Sequence, residues 1–163
     1  MRKVLVFGTF DRLHPGHLNF LQQAKKYGQL FIVVARDKTV KKLKKKNPIE
    51  NERERVKNLK KLKIARKVIL GNLTDKYQVI KKIRPEIICL GYDQKFFVKN
   101  LPKKIKEFGL KTKIIRLKPY KPNIYKSSKI KQKESTKTFY LVSHPPSTTK
   151  TSPLTKSDSS EAK

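Results

Sequence analysis

Acidic residues are scarce in this chain: 12 Asp and Glu stand against 42 Lys and Arg in 163 residues, a formal charge of +30. Cysteine and methionine occur once each, and tryptophan is absent. A single cysteine excludes an internal disulfide and a cysteine-built zinc site as organising features. Cys89 lies in the apolar run Ile87 to Leu90, where a buried, unreactive thiol is expected. Long hydrophobic runs are also missing. Nothing approaches the roughly 18 to 20 apolar residues needed to cross a bilayer, and Met1 leads directly into a strand-like segment without a signal-peptide pattern. The expectation is a soluble, cytoplasmic protein with no membrane partner.

The charge is unevenly distributed. The last 30 residues, Glu134 to Lys163, carry +1, so residues 1–133 carry +29. Thirteen of those 30 are Ser or Thr, and little besides Phe139 to Val142 could be buried, which predicts a polar, disordered tail after a single domain at 1–133. Within the domain the basic residues are 30 Lys and 8 Arg, scattered over every segment, as in a solvated surface rather than a nucleic-acid footprint. The run Lys41 to Lys46, broken only by Leu43, is the exception. It reads either as a charged loop or helix end, or as a phosphate attractor.

Short apolar runs alternate with helical patterns. Strands are predicted at Lys3 to Phe7, Leu30 to Ala35, Lys67 to Leu70, Glu86 to Leu90 and Thr112 to Leu117. Between them, Leu18, Leu21 and Ala24 recur at helical spacing, as do Val56, Leu59 and Leu62 within Asn51 to Leu62. Helices are also expected over Asp75 to Ile83, Phe97 to Phe108 and, capped by Ser127, Ser127 to Lys133. This alternation predicts an α/β fold with a Rossmann-like, doubly wound, five-stranded parallel sheet. Such sheets bind ligands beyond the carboxyl ends of their strands, at the switch point.

The loop after the first strand reads Gly8-Thr9-Phe10-Asp11-Arg12-Leu13-His14-Pro15-Gly16-His17. Two histidines three residues apart, one in a Pro-Gly turn and one in the first helical turn, place two imidazoles above free backbone N–H groups. That is an anion site. Gly16 would let the backbone approach a phosphate, and Gly8 would relieve crowding at the strand end.

This loop resembles the signature of the nucleotidyltransferase (cytidylyltransferase-like) superfamily. The resemblance extends over residues 1–133 through Phe31 to Val40, Pro48-Ile49 before Arg55, Val68 to Gly71, Leu90-Gly91-Tyr92-Asp93-Gln94, and Arg116 before Ser127-Ser128-Lys129-Ile130. Within the superfamily, Val34 to Val40 and Leu90 to Gln94 look closest to archaeal-type FAD synthases (FMN adenylyltransferases). Three features depart from the family pattern: Arg66 replaces an acidic residue, Lys118 to Lys126 contains no cysteine, and the tail after Glu134 has no counterpart.

The resemblance implies transfer of AMP from ATP to FMN by in-line attack on the α-phosphate, releasing pyrophosphate. It implies His14, His17, Lys41 and Lys44 as catalytic residues. Nucleotide contacts would come from Gly8, Thr9, Phe10, Asp11, Gly16, Asp93, Arg116, Ser127 and Ser128, and acceptor contacts from Arg36, Asp37, Arg55 and Tyr92. ATP is the implied substrate, Mg2+ or another divalent cation the implied cofactor, and a homodimer the implied assembly. Asp93 also reads simply as a turn residue. Two alternatives stand beside this reading: a CTP-dependent cytidylyltransferase acting on glycerol 3-phosphate or a related polyol phosphate, and a basic nucleic-acid-binding module.

Overall fold

The computed structural model describes residues 1–96 and 98–125. The expected helix at 127–133, with Ser127 and Ser128, and the expected tail at 134–163 lie outside the described residues. Five strands, β1 (Lys3–Gly8), β2 (Gln29–Val34), β3 (Lys67–Leu70), β4 (Ile87–Leu90) and β5 (Lys113–Arg116), form one sheet. Every pairing is parallel and the order is β3-β2-β1-β4-β5. The first strand is therefore central, and the direction of winding reverses between β1 and β4. The doubly wound reading holds.

Burial explains the strand sequences. Val4, Val6, Leu30, Ile32, Val34 and Cys89 pack on one face beneath α1 (Pro15–Lys25) and α3 (Glu52–Lys61). Leu5, Val33, Ile88 and Leu90 pack on the other with Ile80 of α4 (Gln78–Ile83) and Ile105 of α5 (Leu101–Glu107). A strand covered on both faces must be apolar throughout, which is why β4 is buried at all four positions. Burial also pushes the Cys89 thiol up to about 11, in keeping with an inert core cysteine.

Three elements depart from expectation. The segment after β2 is a helix, α2 (Asp37–Lys44), so Lys41 and Lys44 lie on its last turn, before a left-handed Lys45 ends it. Helix α4 starts at Gln78 rather than Asp75, because the Asp75 carboxylate accepts the Tyr77 N–H and folds 75–77 into a turn. Helix α5 starts at Leu101 rather than at Phe97, with Pro102 in its first turn where the missing N–H costs nothing. Among the described residues no helix is long and apolar enough to cross a membrane.

Candidate active site

The connection from β1 to α1 carries the histidine pair, and its backbone is strained. Phe10 and Arg12 hold φ of 52° and 53°, the left-handed region that non-glycine residues seldom adopt. Such conformations persist only where the surroundings over-determine them. Here the surroundings do so. The Phe10 ring is buried and lies where a side chain on Gly8 would project, 2.7 Å from a Cβ there, so glycine is required to seat that ring. The Asp11 carboxylate accepts the N–H groups of Ile49 and Glu50, and Glu50 returns a carboxylate oxygen to the Arg12 N–H.

Arg55, on α3, completes this clamp. It is fully buried, and its guanidinium donates to the carbonyls of Thr9, Ala35 and Glu50 and to the Asp37 carboxylate. One side chain thereby ties the exits of β1 and β2 to the start of α3. Asp37 and Glu52 exchange reciprocal backbone-to-carboxylate bonds beside it, and Arg36 pairs with Glu52 at 3.0 Å. Of the residues expected at the acceptor, Arg55 is fully buried and spent inside the protein, and the Asp37 carboxylate is bonded to Arg55 and the Glu52 N–H; Asp11, expected at the nucleotide, fastens the loop.

His14 caps α1. Its Nδ1 accepts the His17 N–H over a long 3.4 Å, so the proton of its neutral imidazole lies on Nε2. The two imidazoles stack with centroids 3.7 Å apart and planes 24° apart, and the Phe10 ring meets His17 edge-on at 5.5 Å. Stacked rings this close cannot both carry charge without cost. Burial lowers His14 to about 4, and burial, then His14 and Lys44, lower His17 to about 3 against an opposing pull from Asp11. At neutral pH this is a pair of uncharged N–H donors at a helix N-terminus, with the Lys44 ammonium near enough to act on His17. Lys41, three residues before Lys44 on the same last turn of α2, is exposed.

Gly16 is required by the packing of the turn itself. A Cβ there would lie 3.0 Å from the His14 ring and 3.1 Å from the Tyr125 carbonyl, so that space belongs to the protein itself. The segment after β5 thus passes over the histidine turn. Tyr125 lies nearly parallel to His14 at 6.5 Å and to Tyr120 at 5.9 Å.

Arg116, expected on phosphate, is exposed and uses Nη1 to gather the carbonyls of Gly91, Tyr92 and Gln94. Its consequence is a fixed shape for the loop after β4, helped by the Gln94 amide oxygen accepting the Gly91 N–H. Asp93 and Tyr92 are exposed on that loop, beside the switch point. Sequence reasoning missed Glu50, Glu52 and Gln94, whose partners are set by tertiary contact, and it missed a pattern in the exposed apolar residues. Apart from Met1 and Tyr27, the large exposed hydrophobic side chains among the described residues all follow strand carboxyl ends: Leu43 and Ile49 after β2, Leu73 after β3, Tyr92 and Phe96 after β4, and Tyr120 and Ile124 after β5.

Residues 5–133 match the sequence profile described as cytidylyltransferase-like. The chain belongs to that nucleotidyltransferase family. Among the family's curated members, the FAD synthase of Methanohalophilus mahii is 42% identical over 132 residues, covering 80% of this chain and 92% of that protein. The FAD synthase of Aciduliprofundum boonei is 46% identical over 121 residues, 74% of this chain and 80% of that protein. A crystal structure described as the lipopolysaccharide core biosynthesis protein of Thermoplasma volcanium superposes with a TM-score of 0.69 at 40% identity, covering 74% of this chain and 98% of that one. In this cytidylyltransferase-like protein the loop that carries the histidine turn is bonded to the α2–α3 connection through Asp11 and Arg12 and to α3 through Arg55.

Proposed function

We infer that this protein is an FAD synthase: it transfers AMP from ATP to FMN. The observation that carries the reading is the stacked, uncharged His14–His17 pair on the N-terminus of α1, at the carboxyl end of the central strand. The extended similarity to FAD synthases identifies the two substrates. A phosphate oxygen of FMN attacks the α-phosphorus of ATP, the bond from that phosphorus to the bridging oxygen breaks, and the electron pair leaves with pyrophosphate. No covalent enzyme intermediate is needed.

As the bond breaks, charge grows on the leaving phosphates. Neutral imidazole N–H groups favour that charge without the strong ground-state attraction of two cations, and Lys44 and the helix N-terminus add fixed positive potential. Positioning and electrostatics therefore supply the acceleration. The magnesium that the resemblance implies does not fit a protein-built site here: Asp11 is bonded to Ile49 and Glu50, and the described residues contain no group of three His, Cys, Asp or Glu that could hold an ion. A divalent cation would instead arrive coordinated by the triphosphate oxygens, with the substrate.

The test incubates the purified protein with ATP plus FMN and, separately, with CTP plus glycerol 3-phosphate, and measures pyrophosphate and FAD. FAD formation with ATP and FMN is expected. Turnover confined to the CTP pair would refute the FAD synthase reading while leaving the transfer mechanism standing.

A further inference from the structure

Two of the exposed hydrophobic side chains described above, Tyr92 and Phe96, lie on the loop that follows the carboxyl end of β4. Apolar surface left open at a catalytic rim is unfavourable in water until something covers it. The triphosphate chain cannot cover it, and neither can a polyol phosphate, because both are too polar to gain from the contact. A flat ring can, and of the two rings that enter this site, adenine and isoalloxazine, the tricycle is the larger.

Within this rim the loop after β4 is distinctive. Tyr92 and Phe96 are 36% and 48% exposed, although the backbone between them is held by Arg116 and Gln94. The Tyr92 ring is thus open while the chain carrying it is fixed, and Phe96 follows two residues beyond the last held carbonyl, which keeps the ordering cost of binding low. Strand β4 pairs with β1 through Val4–Ile87, Leu5–Ile88 and Val6–Cys89, so this loop leaves the sheet beside the one that carries His14 and His17. A flat ring laid against this loop would place its attached phosphate chain at the switch point. The Asp93 carboxylate, 3.9 Å from where a Gly91 side chain would begin, lies between the two aromatic residues in sequence and can accept bonds from hydroxyls along that chain.

We propose that Tyr92 and Phe96 form the platform on which the isoalloxazine ring of FMN stacks, and that this platform makes the enzyme select a flavin over a polyol phosphate. The proposal rests on the FAD synthase reading and adds to it the surface that recognises the acceptor. A large, electron-poor tricycle gains both area and favourable ring geometry against aromatic side chains, whereas glycerol 3-phosphate offers no ring.

Steady-state kinetics of Tyr92→Ala, Phe96→Ala and the double variant, with thermal melting of each to verify folding, test this directly. The KM for FMN should rise about tenfold or more in the double variant, by analogy with the loss of one stacked ring, while the KM for ATP changes less than about twofold. Tyr92→Phe, which keeps the ring, should restore most of the FMN affinity lost in Tyr92→Ala. A second readout needs no turnover: riboflavin, which lacks the phosphate, should lose fluorescence on titration with the wild-type protein and much less with the double variant. If wild-type protein makes FAD but the double variant keeps its KM for FMN and quenches riboflavin fully, the platform is wrong and the FAD synthase reading survives. If wild-type protein neither makes FAD nor quenches riboflavin, both fall together.

Discussion

The loops after β1 and β4 leave neighbouring strands at the same end of the sheet, yet they are built in opposite ways. The β1 loop is strained at Phe10 and Arg12 and fastened by buried charge: Arg55 and Asp11 both hold it to the α2–α3 connection. The β4 loop keeps its side chains open and is fixed through its carbonyls by one exposed arginine. Chemistry that depends on the placement of two imidazoles needs the first construction. Recognition of a substrate that must arrive and leave needs the second. If the comparison is right, damage to the first loop should show in folding and turnover, and damage to the second in substrate affinity.

The largest effect should follow removal of the buried clamp. Arg55→Leu deletes donors to three carbonyls and leaves the Asp37 carboxylate without its guanidinium, so stability should fall by about 3–5 kcal/mol. Urea denaturation measures this. An Arg55→Leu protein as stable as wild type would mean that the β1 loop holds its shape unaided.

Next in size is the histidine pair. His17→Ala should lower kcat by about 10² or more, comparable with loss of a transition-state donor, and His14→Asn should do the same while preserving a helix cap. Melting temperatures should move little. Near-normal turnover in both variants would remove the pair from the reaction.

A smaller change is expected on the opposite loop. Asp93→Ala should weaken substrate binding by about 1–3 kcal/mol through unpaired hydroxyls, visible in KM more than in kcat. A fall in kcat alone, with KM unchanged, would contradict the division of labour between the loops.

A last effect appears only below neutral pH. The folded histidines resist protonation until about 4 for His14 and about 3 for His17, whereas unfolded histidine accepts a proton near 6.5. The unfolded chain therefore binds more protons between these values, and stability, complete above about 6.5, should decline as pH falls through 6.5 toward 4. Melting curves across that range should show a shallower slope for His17→Asn than for wild type. Equal slopes would place the pH sensitivity elsewhere.

Much of this was legible in the chain. The apolar runs fixed five parallel strands because segments buried on both faces admit few polar residues, and the His-Pro-Gly-His spacing located the histidine turn because a helix start directly after His14 leaves little choice of geometry. The charged residues were harder. Arg36, Asp37 and Arg55 sat in matching order and looked like acceptor contacts, but their order says nothing about which way they point.

Local sequence determined the elements, the core and the histidine turn, since these depend on periodicity, burial and a few adjacent residues. Only the tertiary structure decided the roles of the charges, because Arg55 meets Thr9 across 46 positions and Asp11 meets Ile49 across 38. A guanidinium buried among carbonyls and one open to solvent are the same residue in a sequence; what separates them is the packing that surrounds each.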